Sequence, residues 1–575
     1  MKKGLVYLKG YYKEAILAPL FKMLEALFEL MVPLAVKQII DVGMVGKDTK
    51  TIFAMCGVMI ALGVVGLVSA LCAQYFSAKA AVGFCEKMRS DLFSHIQRFS
   101  YSTTDRVGTS TLITRLTGDS NAVQTGINMF LRLFMRSPFI VFGAMIMAFT
   151  IDIRLALIFA VVIPVLAIVV FAIMLGSMPL YKKSQACLDD VLGKVRTNYT
   201  GTRVVRAFNK EQDEIEDFDQ KHASLTKIQR FAGRISALMN PLTYVIINAA
   251  IILLIHFGSI RVNSGDISQG ELVALYNYMS QILVELIKLA ALIITLTKAA
   301  ASLRRITDVL EMEPDTPRHA EIATTDDGTA VRFDRVSFRY HETGDPALCD
   351  ISFSAYPGET VGIIGGTGSG KSTLAHLIPG FYCPTEGNVF IEGKNTATYN
   401  KNDLVSMIGI VPQKATLVKG TIRSNLLWGN ENASEDELWC ALSAAQAEEF
   451  VREKPAGLDE PVAQGGTNFS GGQRQRLTIA RALLARPKIL ILDDSASALD
   501  YATEAALRRA LHALENKPTT FIVSQRTSSI LHADRILVLD DGAIVGNGTH
   551  EELLATCEVY REIYDSQFSK GGDGK

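Results

Sequence analysis

Several common protein classes are excluded by what this chain lacks. Its eight cysteines are scattered and no Cys-x-x-Cys pair occurs, so neither a disulfide framework nor a thiolate zinc site fits. Cysteines used this way read as reduced, mostly buried thiols. Charge of either sign is not in excess: 58 Lys and Arg stand against 59 Asp and Glu, a net of −1. That balance supplies no basic surface for a nucleic-acid partner. The start, Met1-Lys2-Lys3, leads into a long helical stretch without a small-residue cleavage site. The first apolar segment is therefore expected to be a retained span and not a removable signal.

Apolar residues are what the chain has in plenty. They make up 49% of the sequence, with a mean hydropathy of +0.22, and the excess sits in the first three hundred residues. A chain of 575 residues exceeds one ordinary core, so at least two domains are expected. A helical span needs about 20 mostly apolar residues, and six runs qualify, near 15–40, 52–78, 128–150, 154–178, 236–260 and 270–297. The connections after the second and fourth runs are long, polar and helix-like, and are expected to extend the helices away from the bilayer.

Lys and Arg set the orientation. The short loops hold only Lys47 and Lys50, Arg154, and Arg261, whereas the other side carries Lys2, Lys3, Lys9, Lys13, Lys79, Lys87, Arg89, Arg98, Lys182, Lys183, Lys194 and Arg196. That side is the cytoplasm, and an even number of spans returns the C-terminal half to it. A multi-pass cell-membrane protein with cytoplasmic N-terminus and C-terminal half is expected. Within the runs, Lys22, Glu25 and Glu29 share one helix face, and Glu285 and Lys288 form a similar i, i+3 pair. Two readings fit them: a self-compensated ion cluster facing other helices, or a polar wall of a substrate cavity. Arg132 and Arg136, four apart, suit anionic headgroups or an inward-facing vestibule.

The second half reads differently. Residues 311–330 are charged and then rich in Pro, Asp and Gly, as a linker between a membrane domain at 1–310 and a soluble domain at 331–567; residues 568–575 form a Gly- and Lys-rich tail expected to be disordered. The apolar run Val361-Gly362-Ile363-Ile364 suits a buried parallel strand. Gly365-Gly366-Thr367-Gly368-Ser369-Gly370-Lys371-Ser372 follows at once, and Thr373-Leu374-Ala375 opens a helix. Strand, glycine-rich loop and helix form the context of a phosphate-binding loop. Glycines let backbone N–H groups turn inward around phosphate oxygens, the helix N-terminus adds a favourable dipole, Lys371 neutralises β/γ charge, and the Ser372 hydroxyl can ligate Mg²⁺. ATP and Mg²⁺ are the expected ligands.

Further stretches carry a resemblance. Asn468-Phe469-Ser470-Gly471-Gly472-Gln473 resembles the signature of ATP-binding cassette (ABC) ATPases, and Val411-Pro412-Gln413 their Q-loop. Ile489-Leu490-Ile491-Leu492-Asp493 looks like their Walker B strand, and Ser497-Ala498-Leu499-Asp500 their D-loop. The resemblance covers nearly the whole chain and is to ABC exporters: six spans with cytoplasmic extensions fused to an α/β P-loop cassette. It implies that Tyr340 stacks adenine, that Gly365 to Thr373 hold the phosphates, and that Gln413 and Asp493 meet Mg²⁺ with Ser372. It also implies that Ser470, Gly471, Gly472 and Gln473 close over the γ-phosphate held by a partner cassette, with Asp500 at the interface. Phe99 to Gly108 and Thr200 to Phe208 look like segments beside the coupling helices that press on such cassettes.

Two positions depart from the family pattern. Asp494 stands where the base is normally Glu, and Gln525 where the switch residue is normally His. Asp is shorter by one C–C bond, about 1.5 Å, and Gln carries neither proton nor charge. Misplacement by about 1 Å can cost on the order of 100-fold in rate. A site that holds Mg-ATP and cleaves it slowly is expected, as in one subunit of heterodimeric bacterial multidrug exporters. The expected partners are a second half-transporter, the lipid bilayer and a small amphipathic cargo: a drug, lipid or peptide. A lipid flippase or a homodimeric exporter remains open, as does an ATP-gated channel or regulator. A peptide-trimming domain before Lys13 is not expected.

Overall fold

The computed structural model describes residues 4–312, 328–341, 343–495, 498–514 and 516–568. Most of the expected linker, 313–327, lies outside the described residues, as do the tail from 569 and Ser497 of the D-loop stretch. The chain divides into two compact units. One comprises Met1–Arg98 with Thr109–Met312, and the other Phe99–Gly108 with Glu313–Lys575. The segment 99–108, surrounded in sequence by membrane helices, thus packs within the cassette unit.

The first unit is helical throughout its described secondary structure. Five helices are long and apolar enough to cross a bilayer: Thr49–Ile96, Thr109–Ile151, Ile153–Ala207, Glu211–Asn263 and Gln269–Glu311. The run expected at 15–40 forms Tyr12–Gln38, 27 residues or about 40 Å at 1.5 Å per residue. It has the length to span, but Lys22, Glu25 and Glu29 keep it out of the purely apolar class. Thr49–Ile96 has 48 residues, about 72 Å, against a hydrocarbon thickness of about 30 Å. The surplus length is the polar extension that the sequence shows after the second run.

Local chemistry fixes the helix ends. Asp152 caps Ile153–Ala207 by accepting from Leu155 N at 2.8 Å, and also pairs with Arg261 at 2.8 Å. Ser268 and Glu271 form a reciprocal capping box at the start of Gln269–Glu311, satisfying two otherwise orphan N–H donors. Asp41 accepts from Ser268 Oγ at 2.5 Å and from Gly270 N at 2.8 Å, and Lys37 pairs with Glu271 at 2.8 Å, so the end of the first helix is tied to the start of the last. Fully buried Tyr278 donates to Leu30 O at 2.7 Å, close to Pro33, whose missing N–H loosens the helix ladder.

Six charges inside this bundle pair with one another. Lys22 meets Glu25 at 2.5 Å, and Arg136 meets Glu29 at 2.6 Å and Glu285 at 2.7 Å. Lys288 and Ser137 Oγ complete Glu285 at 2.9 and 2.7 Å. Arg136 Nε also lies 3.9 Å from Glu25, so three cations and three carboxylates form one neutral network joining Tyr12–Gln38, Arg136–Ile151 and Gln269–Glu311. Arg136 is 7% exposed: it sits inside the bundle, among neither headgroups nor an open vestibule, because the two carboxylates that compensate it lie on neighbouring helices. The self-compensated reading of Lys22, Glu25 and Glu29 gains a cation that sequence spacing does not reveal.

The second unit is α/β. A four-stranded antiparallel sheet runs in the order Leu348–Ala355, Val331–Phe338, Glu386–Ile391, Lys394–Asn395. A six-stranded sheet runs Ala543–Gly548, Arg535–Asp540, Thr360–Gly365, Thr519–Val523, Ile489–Asp493, Ile408–Val411. All its neighbouring pairs are parallel except the edge pair of Arg535–Asp540 with Ala543–Gly548. The two sheets share a core of Val331, Phe333, Ile351, Val361, Ile363, Ile491, Phe521 and Leu537 with the helix residues Leu374 and Leu377. A second core, built around Leu438, Leu442, Phe469, Leu477 and Leu483, belongs to the helical part that carries Gly471–Leu484. Fully burying one such side chain contributes about 1.5–3 kcal/mol.

Candidate nucleotide site

Three adjacent parallel strands end at one edge, and their carboxyl ends build the site. Thr519–Val523 lies between Thr360–Gly365 and Ile489–Asp493, with Val523 opposite both Ile363 and Asp493. Ligands of such sheets bind beyond the carboxyl ends of the strands. The residues leaving these ends are the expected ones: Gly366 to Ser372 from the first strand, Asp493 and Asp494 from the second, Ser524 and Gln525 from the third.

The loop closes on its own lysine. Lys371 Nζ lies 3.0 Å from Gly365 O, 2.5 Å from Gly366 O and 3.3 Å from Ser369 Oγ. Lys371 is 8% exposed; burial pulls its ammonium below the usual lysine range, opposed by the nearby Asp494 and Asp493 carboxylates. Gly370 holds the loop with φ +93°, and a Cβ there would meet Ala347 O at 2.6 Å and Leu348 Cδ2 at 2.7 Å. Only glycine meets both demands without strain.

Ser372 Oγ donates to Asp493 Oδ1 at 2.9 Å. Asp493 is 2% exposed, and burial raises its carboxyl above the usual range, offset in part by the Ser372 hydrogen bond. A hydroxyl and a carboxylate at this separation, beside a phosphate cradle, fit Mg²⁺. That ion is usually held by one or two protein oxygens together with substrate phosphates and water, and not by an all-protein cage. Gln413 Nε2 donates to Asp494 Oδ2 at 3.2 Å, which brings these two expected site residues together. Asp494 takes a left-handed backbone, φ +46°, a region that Asp tolerates better than most residues.

Tyr340 shares a hydrogen bond of 3.0 Å with Thr373 Oγ1 and is 46% exposed, so a solvent-accessible aromatic sits beside the first turn after the loop. Gln525 is exposed, and its carbonyl accepts from Gln567 Nε2 at 2.8 Å. Ser470 caps Gly471–Leu484 in a capping box with Gln473. Ser470 N donates to Gln473 Oε1 at 3.1 Å, and Ser470 Oγ accepts from Gln473 N at 3.2 Å. Gly472 lies against Ala498 O, and Asp500 caps the next helix by accepting from Thr503 N at 2.7 Å. The structure thus gathers Gly365–Thr373, Gln413, Asp493, Asp494 and Tyr340 by direct contacts, while Ser470 to Gln473 group with Ala498 and Leu499.

Sequence reasoning missed His376, whose Nε2 is 3.6 Å from Asp493 Oδ2. The signal was present: residue 376 is i+4 from Ser372, hence on the same helix face. Burial holds its imidazole below the usual histidine range.

Over 100% of its length the chain is 37% identical to an uncharacterized ABC transporter ATP-binding protein, YfiB, of Bacillus subtilis strain 168, of which it covers 99%. The chain belongs to the ABC transporter family. Residues 15–286 match the ABC transporter transmembrane region, and residues 348–497 match the ABC transporter ATPase family. A probable multidrug resistance ABC transporter ATP-binding/permease protein, YheH, of the same Bacillus strain is 34% identical over 86% of this chain and 74% of its own length. Among solved structures, a bacterial Atm1-family ABC exporter with ATP bound has the same fold, with a TM-score of 0.81 at 22% identity, covering 98% of this chain and 99% of that one. This ABC transporter is therefore a multi-pass membrane protein with a fused cytoplasmic nucleotide-binding domain, an ATPase that couples ATP hydrolysis to transport. ABC exporters work as dimers in a membrane, and this chain supplies one membrane unit and one cassette.

Proposed function

We propose that the chain is one half of a heterodimeric exporter of amphipathic compounds, with a site of its own that binds Mg-ATP firmly and hydrolyses it slowly. The observation that carries this reading is the state of Asp494. The carboxylate at the place of the catalytic base is one methylene short and lies 3.2 Å from Gln413 Nε2. Gln525, which cannot carry a proton, stands at the switch position. The binding groups Lys371, Ser372, Gln413 and Asp493 are all present, so binding is retained where cleavage is weakened.

In this reading the base orients water poorly, because its carboxylate falls back from the phosphate by about 1.5 Å. Mg²⁺ would supply charge neutralisation between Ser372, Asp493 and the phosphates. Ser470 and the N-terminus of Gly471–Leu484 offer a hydroxyl and free N–H groups to the γ-phosphate of the partner's site. The dissimilar partner carries Glu and His at the corresponding places and does most of the hydrolysis. ATP binding favours the closed cassette pair and the outward-facing spans, and hydrolysis resets them. The multidrug-resistance name of the Bacillus relative supports an amphipathic cargo, as does a largely apolar membrane unit with a few paired charges.

The test is ATPase activity of the purified chain in lipid, alone and with candidate half-transporters. Slow turnover alone and rapid, cargo-stimulated turnover in one pair is the expected result. Rapid, cargo-stimulated turnover by copies of this chain alone would sink the division of labour.

A further inference from the structure

Tyr382 sits where the phosphate-loop helix ends. That helix runs Lys371–Leu377; Phe381 N then donates to His376 O at 3.2 Å, and Tyr382 follows directly. The Tyr382 ring lies edge-on to Tyr340, with centroids 5.3 Å apart and planes at 82°. It also lies 5.5 Å from Phe338. Its hydroxyl donates to Asp105 Oδ2 at 2.7 Å. Asp105 is on the short helix Tyr101–Val107, which packs in the same unit as the cassette. From that helix Tyr101 stacks on Phe381, with centroids 4.3 Å apart and planes at 24°.

Residues 101–105 therefore hold both aromatics at the end of the loop helix, one by stacking and one by a hydrogen bond to a carboxylate. Such charge-assisted bonds are short and strong. Burial, and then the Asp105 carboxylate, push the Tyr382 hydroxyl well above the usual tyrosine range, so it stays a donor at physiological pH. Tyr340 is anchored at its far end by Thr373. A base stacked on Tyr340 would fix that ring, and with it the edge-on seat of Tyr382.

We propose that Tyr382 is a positioning residue that ties adenine seated on Tyr340 to the segment 99–108. Base and phosphates then report by separate routes: the phosphates through Lys371–Leu377, the base through Tyr340 and Tyr382. The proposal rests on the reading of Tyr340 as the adenine platform. It adds that occupancy of the platform, and not of the phosphate loop alone, orders residues 99–108. A ligand shifts this segment only by interacting differently with its two states, and tripolyphosphate lacks the group that touches Tyr340.

The experiment is hydrogen–deuterium exchange on the full chain in lipid nanodiscs, nucleotide-free, with MgATP and with magnesium tripolyphosphate. MgATP is expected to slow exchange of 99–108 by about tenfold, the scale of one hydrogen bond to a charged group. Tripolyphosphate is expected to protect 365–373 and leave 99–108 at its nucleotide-free rate. Tyr382→Phe keeps the ring and removes the hydroxyl; it should retain ATP affinity and the protection of 365–373, yet lose the response of 99–108. Equal protection of 99–108 by tripolyphosphate and ATP, or a full response in Tyr382→Phe, overturns the proposal. Tyr340→Ala separates the two layers. If it leaves ATP affinity unmoved, the adenine platform falls and the relay with it. If it weakens ATP but not tripolyphosphate while Tyr382→Phe responds as wild type, only the relay falls.

Discussion

Gln413 Nε2 and Asp494 Oδ2 are 3.2 Å apart: the amide donates to the carboxylate that we propose stands in the place of the catalytic base. Because Asp494 is short, lengthening it is the direct correction. Asp494→Glu combined with Gln525→His is expected to raise hydrolysis at this site by up to about 100-fold, the scale that a misplacement of about 1 Å carries. Phosphate release from the chain reconstituted in lipid with a half-transporter whose own base is replaced by Gln measures it. No rise would mean that groups other than these two hold the site back.

Ser372 and Asp493 are 2.9 Å apart and Asp493 is almost wholly buried. Asp493→Asn removes the charge and preserves the shape. ATP binding in EDTA should stay near the wild-type level, whereas the gain in affinity on adding Mg²⁺ should shrink at least about tenfold, the worth of roughly 1.4 kcal/mol of lost charge interaction. Titration of a fluorescent ATP analogue with and without Mg²⁺ reads both. An undiminished Mg²⁺ gain would remove Asp493 from the metal site.

Gly370→Ala tests the loop itself. The left-handed backbone costs an alanine roughly 1–2 kcal/mol. The new Cβ would also press on Ala347 O, a backbone atom 2.6 Å away, which cannot rotate aside as a side chain can. Loss of ATP affinity and earlier melting of the cassette are expected together in nucleotide titration and calorimetry. Wild-type values in both would show that the loop relaxes freely.

In the membrane unit, Arg136→Met leaves Glu29 and Glu285 without their shared cation. Breaking a buried pair in this way typically costs about 3–5 kcal/mol. Glu285→Gln should destabilise more than Glu29→Gln, because their side chains are 3% and 40% exposed and screening by water weakens the second pair. Thermal unfolding in detergent ranks the three variants; an order with Glu29→Gln worst would show that the network is not organised by burial.

The phosphate loop was legible because its geometry is local. Eight consecutive residues between an apolar strand and a helix decide where the N–H groups point, and Gly365 to Ser372 lie where their order implies. The same holds for Ser470, whose cap partner Gln473 is three residues away. The six apolar runs marked helices of the first unit, five of them long and apolar enough to cross a bilayer, but not their lengths, since the polar extensions of Thr49–Ile96 and Ile153–Ala207 look like any solvated helix.

Sequence alone determined the pieces whose chemistry depends on neighbours in the chain: the phosphate cradle, the apolar runs, the short carboxylate of Asp494 and the neutral side chain at Gln525. Tertiary structure alone decided which distant groups meet. Arg136 finds Glu285 across 149 residues, and Tyr382 finds Asp105 across 277. The physical reason is that helical periodicity names the face a residue occupies but not the helix packed against that face. A buried charge or hydroxyl must nevertheless find its partner there, since leaving it unpaired away from water costs far more than the pair itself returns.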